Sequence, residues 1–181
     1  ACKKTFNPNL NREQKLSSLT LGLVGELSEL AFYLSHEMDL STLKKITKEI
    51  GDINYYLFLA IDELAGDELN HLLNGSNYFL EDFYRDYYVE DVGVLNIGNA
   101  MSALMRVAGQ FADDMKKHLY HGHELNKNRL LGALQFIHDT IKYLSPFFGK
   151  DETTIQKENI EKLKNRYPNG FTSSDSINRK E

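Results

Sequence analysis

The sequence predicts an all-α protein, a helical bundle with essentially no sheet. Apolar residues recur at spacings of three and four over long stretches, which is typical of amphipathic helices. The chain contains only three prolines, and each lies where a helix is expected to begin or end. β-branched residues are sparse, and no stretch alternates between apolar and polar residues as a half-buried strand would.

Two long helices are predicted in the first third of the chain. Asn9 or Asn11 can cap a helix that runs to about Ser35, because their side chains accept hydrogen bonds from the first backbone amides. Ser41 is expected to open a second helix that continues to about Leu64. The apolar stripes of the two helices are Leu16, Leu19, Leu23, Leu27, Leu30 and Leu34, and Leu43, Ile46, Ile50, Ile53, Leu57 and Ile61. We expect these stripes to pack the helices into an antiparallel hairpin.

The rest of the chain predicts a second pair of helices and a C-terminal helix. Apolar spacing indicates helices at about 92–119 and 126–147. Residues 109–113 match residues 25–29, with Gln110 in place of the first acid, so this pair is interpreted as a degenerate copy of the first. One all-α domain is therefore predicted over 1–181, with a first repeat at 16–65, a connecting aromatic segment at 66–91, a degenerate second repeat at 92–148, and a C-terminal helix and tail at 152–181.

Four carboxylates lie in two matching pairs on the first two predicted helices. Glu26 and Glu29 are three residues apart, as are Glu49 and Asp52, and each pair lies along one edge of its apolar stripe. Packing the hairpin would bring the four acids together, where they repel one another unless a cation lies between them. Such oxygen donors suit Mg²⁺, with Mn²⁺ as an alternative, and Mg²⁺ commonly completes its shell with substrate phosphates. A solvated helix edge is the alternative interpretation of either pair alone.

Two glycines interrupt the same helices close to the acids. Gly25 directly precedes Glu26, and Gly51 lies between Glu49 and Asp52. Because glycine inside a helix costs about 1 kcal/mol relative to alanine, we expect these positions to serve a close backbone approach or to leave room for a ligand.

The acid motifs carry a resemblance to a known superfamily. Gly22-Leu23-Val24-Gly25-Glu26-Leu27-Ser28-Glu29-Leu30 and Lys48-Glu49-Ile50-Gly51-Asp52-Ile53-Asn54-Tyr55-Tyr56 resemble the ExxE and ExxD signature of the all-α nucleoside triphosphate pyrophosphohydrolases, the MazG-like and dimeric dUTPase-like proteins of phages and bacteria. The resemblance implies Mg²⁺-dependent cleavage of a nucleoside triphosphate between its α and β phosphates, giving a monophosphate and pyrophosphate. Glu26, Glu29, Glu49 and Asp52 would hold the metal, and Glu29 or Glu49 would also orient the attacking water.

Two segments of the second half are similar to the same superfamily. Residues 116–125 resemble the loop between its acid helices, and residues 159–171, followed by 176–179, resemble its C-terminal segment. The resemblance implies that Asn159, Lys162 and Arg166 contact phosphate and sugar, with Tyr167 nearby, and that Lys116 and Lys117 are further candidates for substrate binding. By spacing alone, the first group is more typical of a solvated basic stripe, and the two lysines fit a solvated helix end as well as a phosphate contact. The histidines at 118, 121 and 123 have a spacing that can hold zinc, although no cysteine or acid completes such a site.

Composition narrows the class of protein. The chain has 181 residues, of which 41% are hydrophobic and 26% charged, as is ordinary for one globular domain. A net charge of −5 without a basic block argues against duplex nucleic acid as a partner. A single cysteine, Cys2, and the lack of long apolar runs predict a cytoplasmic protein that does not bind membranes. The resemblance implies that the cell is a bacterium, infected by a phage or not. We expect a homodimer or higher homo-oligomer.

Three functions stay open from the sequence. The first is a general nucleoside triphosphate pyrophosphohydrolase, and the second is an enzyme specific for dUTP or dCTP. The third is a non-catalytic helical module for nucleotide binding or assembly.

Overall fold

A computed structural model describes residues 2–66 and 97–178 of the chain, and within them every regular element is helical, which confirms the predicted all-α fold. The elements are a 3-10 turn at Cys2–Thr5, α1 at Arg12–Leu34, α2 at Leu40–Ala65, α3 at Ile97–His121, α4 at Lys127–Leu144, a 3-10 turn at Ser145–Phe148, α5 at Glu152–Arg166 and α6 at Ser173–Ile177. Nearly all of the predicted aromatic segment 66–91, and residues 92–96 of the predicted third helix, lie outside the described residues.

The N-termini of the first two helices are fixed by side-chain caps. Asn11 accepts a hydrogen bond from the backbone N–H of Gln14, whose side chain in turn accepts one from the Asn11 N–H, so a capping box begins α1 as predicted. The prediction that Ser41 opens α2 is wrong by one or two residues. Asp39 is the cap, and its carboxylate accepts a 2.7 Å hydrogen bond from the Thr42 N–H. This bond lowers the pKa of Asp39, because it favours the charged carboxylate.

The four long helices form one bundle around a continuous apolar core. α1 and α2 pack as a hairpin, α3 and α4 form a second hairpin, and the two hairpins join through α1 against α3 and α2 against α4. The predicted stripes supply the fully buried side chains of the first hairpin, among them Leu23, Leu27, Leu30, Ile46, Ile50 and Ile53. Burying these side chains is the main source of stability in such a bundle.

The C-terminal helix α5 packs on the outside of α2. The two helices approach closely at Gly51, where an added Cβ would lie 3.0 Å from the Cβ and the side-chain nitrogen of Asn159. The expected close approach is thus confirmed at Gly51. It is absent at Gly25, where an added Cβ would meet no described atom within 4 Å. The loop after α5 is attached to the other end of the chain, because the Phe171 N–H donates a 3.0 Å hydrogen bond to the Lys4 carbonyl.

None of the described helices combines the length and the apolar character needed to cross a membrane.

Two glycines of α1 give a matched test of packing. An alanine Cβ at Gly22 would lie 2.3 Å from the Tyr56 ring, whereas the same atom at Gly25 meets open space. Gly25→Ala is expected to raise the free energy of unfolding by about 1 kcal/mol through helix propensity. Gly22→Ala is expected to leave the protein about 1 to 3 kcal/mol less stable than Gly25→Ala, because the Tyr56 ring must move. Urea unfolding of both variants measures the difference, and equal stabilities would contradict the packing at Gly22.

A charged histidine links α4 to α5. His138 Nδ1 lies 3.0 Å from an Asp139 oxygen, and Nε2 lies 3.2 Å from a Glu152 oxygen. The hydrogen bonds to Asp139 and Glu152 outweigh partial burial and raise the pKa of His138 to about 9. Because the folded pKa exceeds the unfolded value of about 6.5, the stabilisation is complete below pH 6.5 and is lost as the pH rises through 9.

The His138→Gln variant tests this link, since glutamine can hydrogen-bond but carries no charge. Wild type is expected to exceed the variant in free energy of unfolding by about 1 to 2 kcal/mol at pH 6, with the difference shrinking by pH 9.5. Denaturant unfolding at both pH values measures it. A difference that is the same at both would show that the histidine is not charged in the folded protein.

Candidate metal centre

Three of the four predicted acids meet at the edge of the first hairpin. Glu26 comes from α1, and Glu49 and Asp52 come from successive turns of α2, so that one carboxylate oxygen of each lies within 4.8 Å of the others. Within residues 2–66 and 97–178, this acid cluster is the one group of three or more acidic, histidine or cysteine side chains close enough to share an ion. In the proposed second copy, Asp113 is instead paired with two lysines.

Burial makes the acid cluster electrostatically costly. Glu49 is 1% exposed, and its Oε2 atom has no hydrogen-bond partner among the described residues. Burial, followed by the charge of Asp52, a hydrogen bond to Glu49 and the charges of Glu49 and Glu29, raises the pKa of Glu26 to about 8. At neutral pH without an ion, Glu26 therefore largely carries a proton, which lowers the repulsion inside the cluster.

The residues present fit a hard divalent cation. The cluster offers only carboxylate oxygens, which Mg²⁺ and Mn²⁺ prefer, and the buried Glu49 Oε2 is a ligand atom that lacks a partner. A cation at this position would compensate the charges that now raise the pKa of Glu26.

Glu29 lies apart from the other three acids. It is exposed on α1, one turn beyond Glu26, and it does not belong to the group whose oxygens lie within 4.8 Å of one another. Its charge still contributes to the raised pKa of Glu26, so it lies near the rim of the cluster. The predicted metal role of Glu29 stays a prediction.

Two side chains of α5 donate hydrogen bonds to the acid cluster. Asn159 donates a 2.7 Å hydrogen bond from Nδ2 to Asp52 Oδ1, and the Lys162 ammonium group donates to the same oxygen. These two predicted substrate-binding residues are thus brought directly to the acids, across 107 and 110 positions of sequence. The close approach at Gly51 is what lets α5 lie there.

Lys48 is a further member of the site that the sequence reading missed. Its ammonium group lies 3.0 Å from Glu49 Oε1 and 3.8 Å from Asp52 Oδ2. Burial opposes its charge, but the Glu49 hydrogen bond and the nearby carboxylates outweigh this effect and raise the pKa of Lys48. Its position in the sequence could have indicated this role, because Lys48 directly precedes Glu49. It also lies four residues before Asp52 and so shares a helix face with it.

The other predicted binding residues lie in different surroundings. Tyr167 is buried, with its ring centroid 5.5 Å from that of Phe171, and Arg166 is half-buried in the last turn of α5. The ammonium groups of Lys116 and Lys117 lie 2.5 and 2.7 Å from Asp113 oxygens, and the Lys116 hydrogen bond, then that of Lys117, lowers the pKa of Asp113 to about 2. Substrate contact by these four residues stays a prediction.

The histidines considered for zinc do not assemble a metal group within the described residues. His118 Nδ1 lies 2.9 Å from the backbone carbonyl of His123. This contact joins the end of α3 to the loop that follows it.

A cleft between α2 and α5 adjoins the acid cluster. Its volume is about 190 Å³, and it shares Lys48, Gly51, Asn159 and Lys162 with the surroundings of the acids. The remaining lining residues are Lys44, Thr47, Lys150, Ile155 and Glu158. We call it the lysine cleft.

Metal binding can be tested by thermal unfolding. Ten millimolar Mg²⁺ or Mn²⁺ is expected to raise the Tm of the wild type, since a ligand at about 100 times its Kd stabilises a fold by about 2.7 kcal/mol. Glu49→Gln is expected to lose this shift while keeping or raising the Tm without metal, because it removes a buried negative charge. Asp113→Asn, an acid outside the cluster, is the matched control and should keep the shift. An equal shift in Glu49→Gln would exclude the cluster as the binding site.

In comparisons with known proteins, no family model, no curated protein and no solved structure matches this chain.

Proposed function

We propose that this protein is a metal-dependent nucleoside triphosphate pyrophosphohydrolase that cleaves between the α and β phosphates to give a monophosphate and pyrophosphate. The proposal rests on one observation: Asn159 and Lys162 of α5 contact the acid cluster of Glu26, Glu49 and Asp52. These two parts of the chain are distant in sequence, and both belong to the segments that resemble the superfamily. Acidic oxygens beside ammonium and amide donors are the groups that phosphate hydrolysis requires.

The acids divide into two roles. Glu26, Glu49 and Asp52 would hold Mg²⁺ or Mn²⁺, which supplies charge compensation to the phosphate oxygens when bound. Glu29 is the better candidate for orienting the attacking water, because it is exposed beside the cluster, whereas Glu49 is buried. Glu29 would accept a proton from that water at a carboxylate oxygen.

The basic and amide side chains would act on the phosphates. Lys162 and Lys48 now pair with the acids, and a cation bound there would weaken these ion pairs, so that both ammonium groups can turn to phosphate oxygens. The Asn159 Nδ2 group would keep Asp52 oriented through its hydrogen bond. Charge on the departing pyrophosphate is then stabilised by lysines rather than by water.

These contacts involve the metal and the phosphates, so they do not determine which nucleobase the protein prefers. An enzyme specific for dUTP or dCTP uses the same acids, so base preference is a matter for measurement. The protein is incubated with each ribo- and deoxynucleoside triphosphate and Mg²⁺, and products are identified by ³¹P NMR. Monophosphate and pyrophosphate are expected, whereas diphosphate and orthophosphate would contradict the proposed bond cleavage.

A non-catalytic binding module is the second candidate. It is favoured by the ion pairs of Lys48 and Lys162, which already neutralise part of the acid cluster. Nucleotide binding without release of pyrophosphate from any of the triphosphates would establish this alternative.

The proposed setting is a cytoplasmic nucleotide pool, and the proposed assembly is a homodimer. Leu21 and Phe32 are large apolar residues exposed on α1, and they lie eleven positions, about three helical turns, apart on one face. Such a face supports pairing of two copies.

Two acid variants separate metal binding from water activation. Glu49→Gln is expected to lower kcat by more than about 100-fold and to lose the metal-induced Tm shift, because a ligand is removed. Glu29→Gln is expected to lower kcat while the Tm shift persists. Steady-state pyrophosphate release with matched thermal unfolding measures both effects. Full activity in Glu49→Gln would refute the proposed site.

A further inference from the structure

The lysine cleft concentrates positive charge in an acidic protein. Four lysines and one glutamate line it, although the whole chain carries a net charge of −5. The lysines come from different places: Lys44 and Lys48 from α2, Lys150 from the loop before α5, and Lys162 from α5. A solvated basic stripe lies along one helix, whereas here the fold brings four ammonium groups around one concave space.

Three of the four lysines pair with carboxylates, but only one of these acids, Glu158, lines the cleft itself. Lys150 pairs with Glu158 at 2.5 Å, and both side chains are partly exposed. The side chain of Lys44 makes no ion pair or hydrogen bond with any residue in 2–66 or 97–178. Lys48 and Lys162 reach the acid cluster at the other end of the cleft. Hence the field along the cleft favours an anion, and at the acid cluster it favours a cation.

Two lining lysines also contact the acids, so the cleft and the acid cluster adjoin at these two side chains. Lys48 and Lys162 touch Glu49 and Asp52 and line the cleft as well, so a bound anion extends from the acid cluster toward Lys44 and Lys150. Thr47 and Asn159 add polar side chains to the wall. A single phosphate would reach only part of this row of charges, whereas a chain of phosphates presents negative oxygens along its whole length.

We propose that the lysine cleft binds an oligophosphate chain, and that Lys44 and Lys150 contact the phosphates farthest from the acid cluster. The proposal deepens the proposed function and rests on it for the direction of the bound nucleotide. Binding of the anion itself requires neither metal nor hydrolysis. The chain would be either the tail of a nucleoside triphosphate or free inorganic tripolyphosphate.

Calorimetric titration of the full chain in EDTA tests this directly. The probes are inorganic tripolyphosphate, orthophosphate and a nucleoside triphosphate. Wild type is expected to bind tripolyphosphate more tightly than orthophosphate by about tenfold or more. Lys44→Met with Lys150→Met is expected to weaken tripolyphosphate binding by about tenfold or more.

The matched control removes the same charge from neighbouring positions. Lys45→Met with Lys157→Met changes two exposed lysines outside the cleft, one on α2 and one on α5, and should alter binding by less than about twofold. Equal weakening in both double variants would overturn the proposal, because it would reflect net charge alone.

A third variant keeps the test informative if the double variant does not fold. Glu158→Gln removes the one acid that lines the cleft and releases Lys150, so tripolyphosphate binding should become tighter by a few-fold. Unchanged or weaker binding in Glu158→Gln would overturn the proposal.

The arms of the experiment distinguish the sources of the phosphate chain and the two proposals. Weakening for both tripolyphosphate and nucleotide supports a subsite for the nucleotide tail, and weakening for tripolyphosphate alone supports a site for the free anion. If wild type hydrolyses nucleotides but Lys44→Met with Lys150→Met binds as the control does, the cleft proposal fails and the enzyme proposal stands. If binding depends on Lys44 and Lys150 but no nucleotide is hydrolysed, the cleft proposal stands and the enzyme proposal fails.

Discussion

Repulsion among closely spaced carboxylates is the constraint on which the candidate site depends. Glu26, Glu49 and Asp52 approach within 4.8 Å on the first hairpin, and one of them is almost fully buried. At such distances two negative charges in a partly buried site oppose each other by several kcal/mol. Without an ion, the chain lowers this energy by raising the pKa of Glu26 and by placing Lys48 and Lys162 on the acids. A divalent cation bound among these carboxylates would lower the same repulsion.

The position of α5 links the ends of the chain to the acids. Gly51 lets α5 approach α2, so that Asn159 and Lys162 reach Asp52. The loop after α5 is in turn held by the Lys4 carbonyl through Phe171. The N-terminal turn therefore supports the site without contributing a side chain to it, and a change there would act on Asp52 through the position of α5.

Periodicity predicted the fold well, because burial of one face of a helix leaves a direct pattern in sequence. The stripes through Leu23 and Ile50 became the core, the cap of α2 shifted from Ser41 to Asp39, and α4 ends at Leu144 rather than near 147. Periodicity did not predict which side chains meet at the site, because they come from distant parts of the chain. The resemblance brought Asn159 and Lys162 into consideration, but Lys44 and Lys150 follow no motif, since they meet only after α5 folds back on α2. Likewise, sequence spacing placed Glu29 with the other acids, whereas in the structure Glu29 is exposed one turn beyond Glu26 and outside the acid cluster.

The acid cluster and the lysine cleft together narrow the chemistry of the ligand further than either does alone. A bare cation would satisfy Glu26, Glu49 and Asp52 but would leave the lysines of the cleft facing one another. A bare oligophosphate would bind those lysines, but more weakly than with a cation present, because the acids repel the end of the chain nearest to them. A complex of a divalent cation with an oligophosphate presents its positive end to the acids and its negative chain to the lysines, so both fields favour the same orientation. That complementarity is the physical reason for preferring a metal-bound triphosphate over a simple metal site or a simple anion site.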